Sequence, residues 1–126
     1  MRVLLVDDNK NFLESLSRFL GPYPAIEIIG KVSDGKAALE ICSRLNPELV
    51  MMDIRIPGIN GFETARIMKT LENPPRILLL SFNDETEYLA ESLSSGADGY
   101  LAKSDIISEL FRQLSSIFSF NFGAAS

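Results

Sequence analysis

The sequence predicts an open α/β fold built on a parallel sheet, and three observations carry that reading. Five short apolar runs alternate with five stretches of helical periodicity, the pattern that right-handed β-α-β crossovers produce. Three of the runs are almost solidly apolar, as strands covered on both faces must be. The 126 residues, 46% hydrophobic and 23% charged, suit one domain with a substantial core.

Each element can be justified in order. Strands are expected at residues 3–6, 26–32, 48–52, 76–80 and 99–102. The second run is mixed, with Glu27, Gly30 and Lys31, and reads as an edge strand. Helix one carries Phe12, Leu13, Leu16, Phe19 and Leu20 on one face and stops at Gly21-Pro22. Helix two starts near Ser33-Asp34 and is expected to bury Ala38, Ile41, Cys42 and Leu45. Helix three begins at Asn60, with Glu63 placed for a capping box; it buries Phe62, Ala65, Met68 and Leu71 and ends before Pro74-Pro75. Helix four runs from about Asp84 to Ser95 and closes at Gly96, with a thin apolar stripe of Leu89 and Leu93. Helix five follows a Ser104 cap and carries Ile106, Ile107, Leu110, Phe111, Leu114, Ile117 and Phe118. Residues 119–126 lose the pattern and read as a tail.

Composition excludes several classes of function. The net charge is −5 with no basic cluster, so no direct nucleic-acid surface is expected. No apolar stretch approaches the roughly 18 residues of a membrane span, and no signal-peptide pattern opens the chain. The single cysteine, Cys42, lies on the apolar stripe of helix two, reads as core, and suits a reducing cytoplasm. The absence of histidine removes Ser-His-Asp and Cys-His catalysis and His-ligated zinc.

Chemistry is expected at the carboxyl ends of the strands, where open α/β sheets bind ligands. Strand one ends in Asp7-Asp8, strand three in Asp53, strand four in Ser81, and strand five near Tyr100 with Lys103 just beyond. If strands one and three are neighbours, about 4.8 Å separates them, and these carboxylates would crowd and repel. A hard divalent cation resolves that conflict, and an all-oxygen donor set without histidine suits Mg²⁺. A carboxylate beside Mg²⁺ and a lysine can attack phosphorus and form an aspartyl phosphate. Taken singly the same residues have plainer readings. Asp7 and Asp8 also suit a helix start, and Asp53 could be a structural acid paired with Lys103. Ser81 could be a cap, and Tyr100 ordinary strand packing.

Four segments in order, "LLVDDN" at 4–9, "MMDIRIPGING" at 51–61, "LLLSFND" at 78–84 and "GADGYLAKSD" at 96–105, resemble the receiver domain of two-component response regulators, closest in wording to the NarL/FixJ-type branch. The resemblance covers residues 1 to about 118. It implies a flavodoxin-like (βα)5 three-layer sandwich with sheet order 2-1-3-4-5. By position it implies that Asp53 accepts a phosphoryl group, that Asp8 binds Mg²⁺ directly, and that Asp7 binds it mainly through water. Arg55 would lend its backbone carbonyl to the metal. Ser81 would bind a phosphoryl oxygen, Tyr100 would turn in response, and Lys103 would pair with the phosphoryl group. It further implies a phosphoprotein switch rather than an enzyme, fed by a sensor histidine kinase or a histidine phosphotransfer protein in the cytoplasm. The output would be transcription regulation. A homodimer through an exposed helix face is compatible with it. Residues 119–126 would be a tail or the start of a linker to an absent effector domain.

The sequence departs from the family pattern in places. Ser104 follows Lys103 where many receivers have proline, so no cis bond is expected there. Phe82 follows Ser81 where a small residue is common, and its ring could narrow the path to Asp53. Arg55 and Asn83 would flank the phosphoryl group and tune its lifetime. The main rival is a degenerate receiver, a phosphate-independent interaction or dimerisation module, which would more often have lost one of the acids, Ser81 or Lys103. A haloacid-dehalogenase-like phosphatase normally needs a second acid two positions after the first, where Arg55 stands. No G-x-G-x-x-G follows strand one to support a dinucleotide enzyme.

Overall fold

The computed structural model describes residues 1–82 and 89–119. The elements run β1 Arg2–Val6, α1 Lys10–Leu20, β2 Glu27–Val32, α2 Gly35–Leu45, β3 Leu49–Asp53 and α3 Gly61–Met68. They continue with β4 Arg76–Ser81, α4 Leu89–Ser94, β5 Gly99–Ala102, a 3-10 turn Lys103–Asp105 and α5 Ile106–Phe118. All strand pairs are parallel and the sheet order is β2-β1-β3-β4-β5. The mixed second run is indeed at an edge.

Successive strand residues point to opposite faces, and the core divides accordingly. Val3, Leu5, Leu49, Met51, Leu78, Leu80 and Leu101 pack with Leu13, Leu16 and Leu20 of α1 and Leu110 and Leu114 of α5. Leu4, Val6, Val50, Met52, Ile77 and Leu79 pack with Ala38 and Cys42 of α2 and Phe62, Ala65 and Met68 of α3. The result is a three-layer sandwich.

The helix starts are capped as the residue types dictate. Asn9, Asp34 and Asn60 accept from the backbone N–H of Phe12, Ala37 and Glu63 respectively. Helix two closes on Asn46 in the left-handed region (φ 47°), a conformation asparagine tolerates.

Four expectations need correction. Leu45 is 43% exposed, because it ends α2 on the last turn before Asn46; its carbonyl, not its side chain, is engaged, accepting from Arg2. Leu93 is 69% exposed. Ser92 of α4 and Ser95 just after it are buried, and the Ser95 hydroxyl donates to the Ser92 carbonyl at 2.6 Å. Ser104 caps nothing: it sits inside the 3-10 turn, and α5 starts after Asp105 without a side-chain cap. Helix three ends before Pro74-Pro75 as expected, but already at Met68, so Leu71 lies beyond it in a turn whose N–H groups bond back to Ile67 and Met68. The expected start of helix four and residues 120–126 lie outside the described residues, as does Asn83.

Candidate phosphoacceptor and metal site

The alternation that fills the core also aims the site. Val3 and Leu5 face the α1/α5 layer, and so do Leu49 and Met51. Two residues further along each strand stand Asp7 and Asp53, which inherit that direction. Leu101 faces the same layer, and Lys103 follows it by two. Ser81 and Tyr100 fall on the opposite phase. Tyr100 packs against the α2/α3 core cluster, and Ser81 is in register with Ala102.

Asp7 continues the ladder of β1 through its N–H to the Val32 carbonyl, 3.0 Å. It is 1% exposed and Asp53 is 6% exposed, while Asp8 is open to solvent. One carboxylate oxygen from each of the three acids lies within 4.8 Å of the others. The Lys103 ammonium reaches into the group, 2.6 Å from Asp7 Oδ2 and 3.8 Å from Asp53 Oδ2. Burial pushes the Asp53 carboxyl above its ordinary range. Lys103 opposes that shift, Asp7 adds to it, the Arg55 backbone hydrogen bond opposes it, and Asp8 adds to it.

Two backbone features fix the acids. The Asn9 N–H donates to Asp7 Oδ1 at 2.9 Å, which holds one oxygen of that carboxylate. Gly61 sits where a Cβ would lie 2.7 Å from the Asp53 carbonyl oxygen and 2.7 Å from Ile54 Cα. Only glycine lets α3 begin so close under the end of β3. The turn that leads there passes Gly58 at φ 80°.

The donor set suits a hard divalent cation. It is all oxygen, and Asp7 Oδ2 is a buried side-chain atom with a charge contact to Lys103 but no hydrogen bond. Of the residues singled out in the sequence, Asp7, Asp8, Asp53 and Lys103 converge. Ser81 is buried and Tyr100 half-buried along the same edge. Arg55 follows β3 with an exposed side chain. Phe82 is 70% exposed, its ring standing largely in solvent. Sequence reading missed two contributors. Gly61 was only the last residue of the 51–61 segment, and Phe12, assigned to a helix face, lies with its ring centroid 4.2 Å from the Lys103 ammonium.

A 2-1-3-4-5 parallel sheet with three acids and a lysine at its carboxyl edge defines a flavodoxin-like α/β protein with an acidic, cation-competent pocket. Comparison with known proteins narrows this. The response regulator receiver domain family matches residues 3–115, nearly the whole chain, and the protein belongs to that family. Transcriptional regulatory protein LiaR of Bacillus subtilis is 35% identical over 111 residues, covering 87% of this chain and 52% of LiaR. Transcriptional regulatory protein DegU of Brevibacillus brevis is 33% identical over 103 residues, covering 82% and 44%. The chain thus spans about half the length of these curated relatives. The receiver domain of the response regulator NarL from Mycobacterium tuberculosis superposes with a TM-score of 0.82 at 33% identity, covering 90% of this chain and 91% of that one. A LuxR-family two-component response regulator from Aurantimonas superposes at 0.86 with 26% identity, covering 94% and 84%. The NarL-type branch read from the sequence agrees with these relatives. The general function of such domains is a phosphorylation-dependent switch in two-component signalling. No helix among the described residues is long and apolar enough to cross a membrane.

Proposed function

We propose that Asp53 is the phosphoacceptor of this switch. The observation that carries the reading is its placement. It is an almost fully buried carboxylate at the end of a hydrophobic strand, with two further acids and a lysine within reach. A carboxylate stripped of water is a poorly solvated and therefore reactive nucleophile.

An Asp53 oxygen attacks the phosphorus of a phosphohistidine. The P–N bond breaks as the P–O bond forms, and the imidazole leaves with the electron pair and takes up a proton. Lys103 stands where charge gathers on the transferring oxygens. Asp7, Asp8, Asp53 and the Arg55 backbone carbonyl would hold Mg²⁺, which supplies charge neutralisation for the phosphoryl oxygens. Ser81 then donates to a phosphoryl oxygen, and Tyr100, on the same side of the sheet, responds. Helix four, whose Leu93 stands in solvent, is the weakly anchored element that such a change would move.

The donor would be a sensor histidine kinase or a histidine phosphotransfer protein. The unit is residues 1–118, with 119–126 as a tail or the start of a linker. Regulation of transcription would run through an effector domain like those the longer relatives leave room for. Arg55 and Asn83 would tune the phosphoryl lifetime. Intact-mass measurement after incubation with phosphoramidate and Mg²⁺ tests the core of this reading. One phosphoryl adduct is expected, absent without Mg²⁺ and absent in Asp53→Ala. An adduct that persists in Asp53→Ala would assign the chemistry elsewhere.

A further inference from the structure

Lys103 has a third neighbour besides the two acids. Its ammonium lies over the Phe12 ring, 4.2 Å from the centroid. An aromatic face attracts a cation through its quadrupole, and more strongly where water is kept away. Asp7 beside it is buried and the ring is half-buried.

Local structure delivers the ring to that place. Asn9 donates its N–H to Asp7 Oδ1 and accepts from the Phe12 N–H on its own side-chain oxygen. One capping residue therefore ties the Asp7 carboxylate and the first turn of α1 into a unit. Lys103 enters that unit from the end of β5. A groove of about 180 Å³ continues from it between α1 and α5, lined by Phe12, Leu16, Phe19, Ile106 and Ile107.

We propose that Phe12 is a positioning residue for Lys103. A lysine head on its four-carbon stem samples many positions unless something fixes it. Asp7 and Asp53 attract it, but a further anionic anchor would drain the positive charge that a phosphoryl oxygen needs. The phenyl face holds the ammonium without offering a hydrogen-bond acceptor or a counter-charge. The head is thereby kept 3.8 Å from Asp53 with its charge available. The catalytic consequence rests on Asp53 being the phosphoacceptor; the holding of the ammonium does not.

The test replaces Phe12 with mono-, di- and trifluorophenylalanine, which empty the ring face while nearly keeping its shape, and with Leu and Tyr. Two quantities are read. The first is the ring-current shift of the Lys103 ε-CH₂ protons, observed without any phosphodonor. The second is the initial rate of adduct formation with phosphoramidate and Mg²⁺. The ε protons should lie upfield in the wild type and return toward the ordinary position in Phe12→Leu. The rate should fall stepwise with each fluorine and by about three- to tenfold in Phe12→Leu, with Phe12→Tyr near the wild type. A fluorinated series at the wild-type rate would overturn the proposal, because packing alone would then explain the contact. If the wild type takes up no phosphoryl group, the phosphoacceptor reading fails separately. The ring-current shift then still decides, its presence and loss in Phe12→Leu supporting the holding of the ammonium and its absence overturning it.

Discussion

The Lys103 ammonium stands 2.6 Å from Asp7 and 3.8 Å from Asp53, so the more deeply buried acid takes the closer share of that cation. Without that cation Asp7 would be a buried charge with Oδ2 lacking any hydrogen bond. Breaking a buried pair by removing one partner costs about 3–5 kcal/mol. Lys103→Met should therefore lose stability of about that order in EDTA. Excess MgCl₂ should recover much of the loss, since a bound divalent cation neutralises the same oxygens. Thermal unfolding of both proteins with and without Mg²⁺ measures this. A variant equally destabilised in both conditions would mean that the acids do not bind the cation.

Asp53 yields a prediction of opposite sign. Burial raises its carboxyl in the folded chain above the ordinary 3.8. The folded state then holds the proton to higher pH than the unfolded state. The associated stability is fully present below 3.8 and is lost as pH rises through the raised folded value. Asp53→Asn keeps the shape and never ionises. In the absence of divalent cations it should melt above the wild type at neutral pH, with the difference shrinking toward pH 4. A gain of about 1 kcal/mol would appear as roughly 3–6 °C. Melting curves that stay parallel across this pH range would show that Lys103 already offsets the cost of burial.

Gly61→Ala should damage the site from behind. Its added methyl would meet the Asp53 carbonyl oxygen and Ile54 Cα, both backbone atoms that cannot rotate away. Relief requires the end of β3 or the start of α3 to shift, at about 1–3 kcal/mol. Urea unfolding should report that loss, and Mg²⁺ affinity should weaken with it because Asp53 rides on the displaced backbone. Unchanged affinity in a destabilised variant would show that the shift is absorbed by α3 alone.

Much of this was legible in the chain because strands write their facing directly into sequence. The order apolar-apolar-acid at Leu5, Val6, Asp7 and Met51, Met52, Asp53 already sets both acids on one face. What was not legible depends on where elements end. Helical periodicity placed Leu45 and Leu93 on an apolar stripe, but it cannot say that α2 runs out at Asn46 or that α4 leaves Leu93 in solvent while Ser92 is buried. The Phe12–Lys103 contact joins the first helix to the last strand, and no local pattern encodes such a meeting. Gly61 fell inside the expected third helix with no special role, and only the approach of α3 to β3 shows why a side chain is forbidden.

Asp98 separates stability from chemistry. Its Oδ2 accepts from Lys69 Nζ at 2.7 Å and from the Ile77 N–H at 2.8 Å, while Oδ1 accepts from Arg76 at 3.2 Å. Its own N–H returns to the Ile77 carbonyl at 2.8 Å, and Lys69 also donates to the Pro75 carbonyl. One carboxylate thus clips the end of α3, the start of β4 and the entry to β5 together. Ile77 lies near the amino end of β4, three residues before Leu80, which is in register with Asp53. At about 3.3 Å per residue the clip stands roughly 10 Å from the acid pocket along the strand. Asp98→Ala strips partners from a partly buried lysine and a buried N–H, which should cost about 2–4 kcal/mol. The yield of phosphoryl adduct at Asp53 should not change below the unfolding transition. Urea titration and intact-mass analysis on the same preparation check both halves. A variant that keeps its stability would mean that Arg76 and Lys69 find other partners, and one that folds but no longer takes up phosphate would show that the clip is coupled to the site through β4.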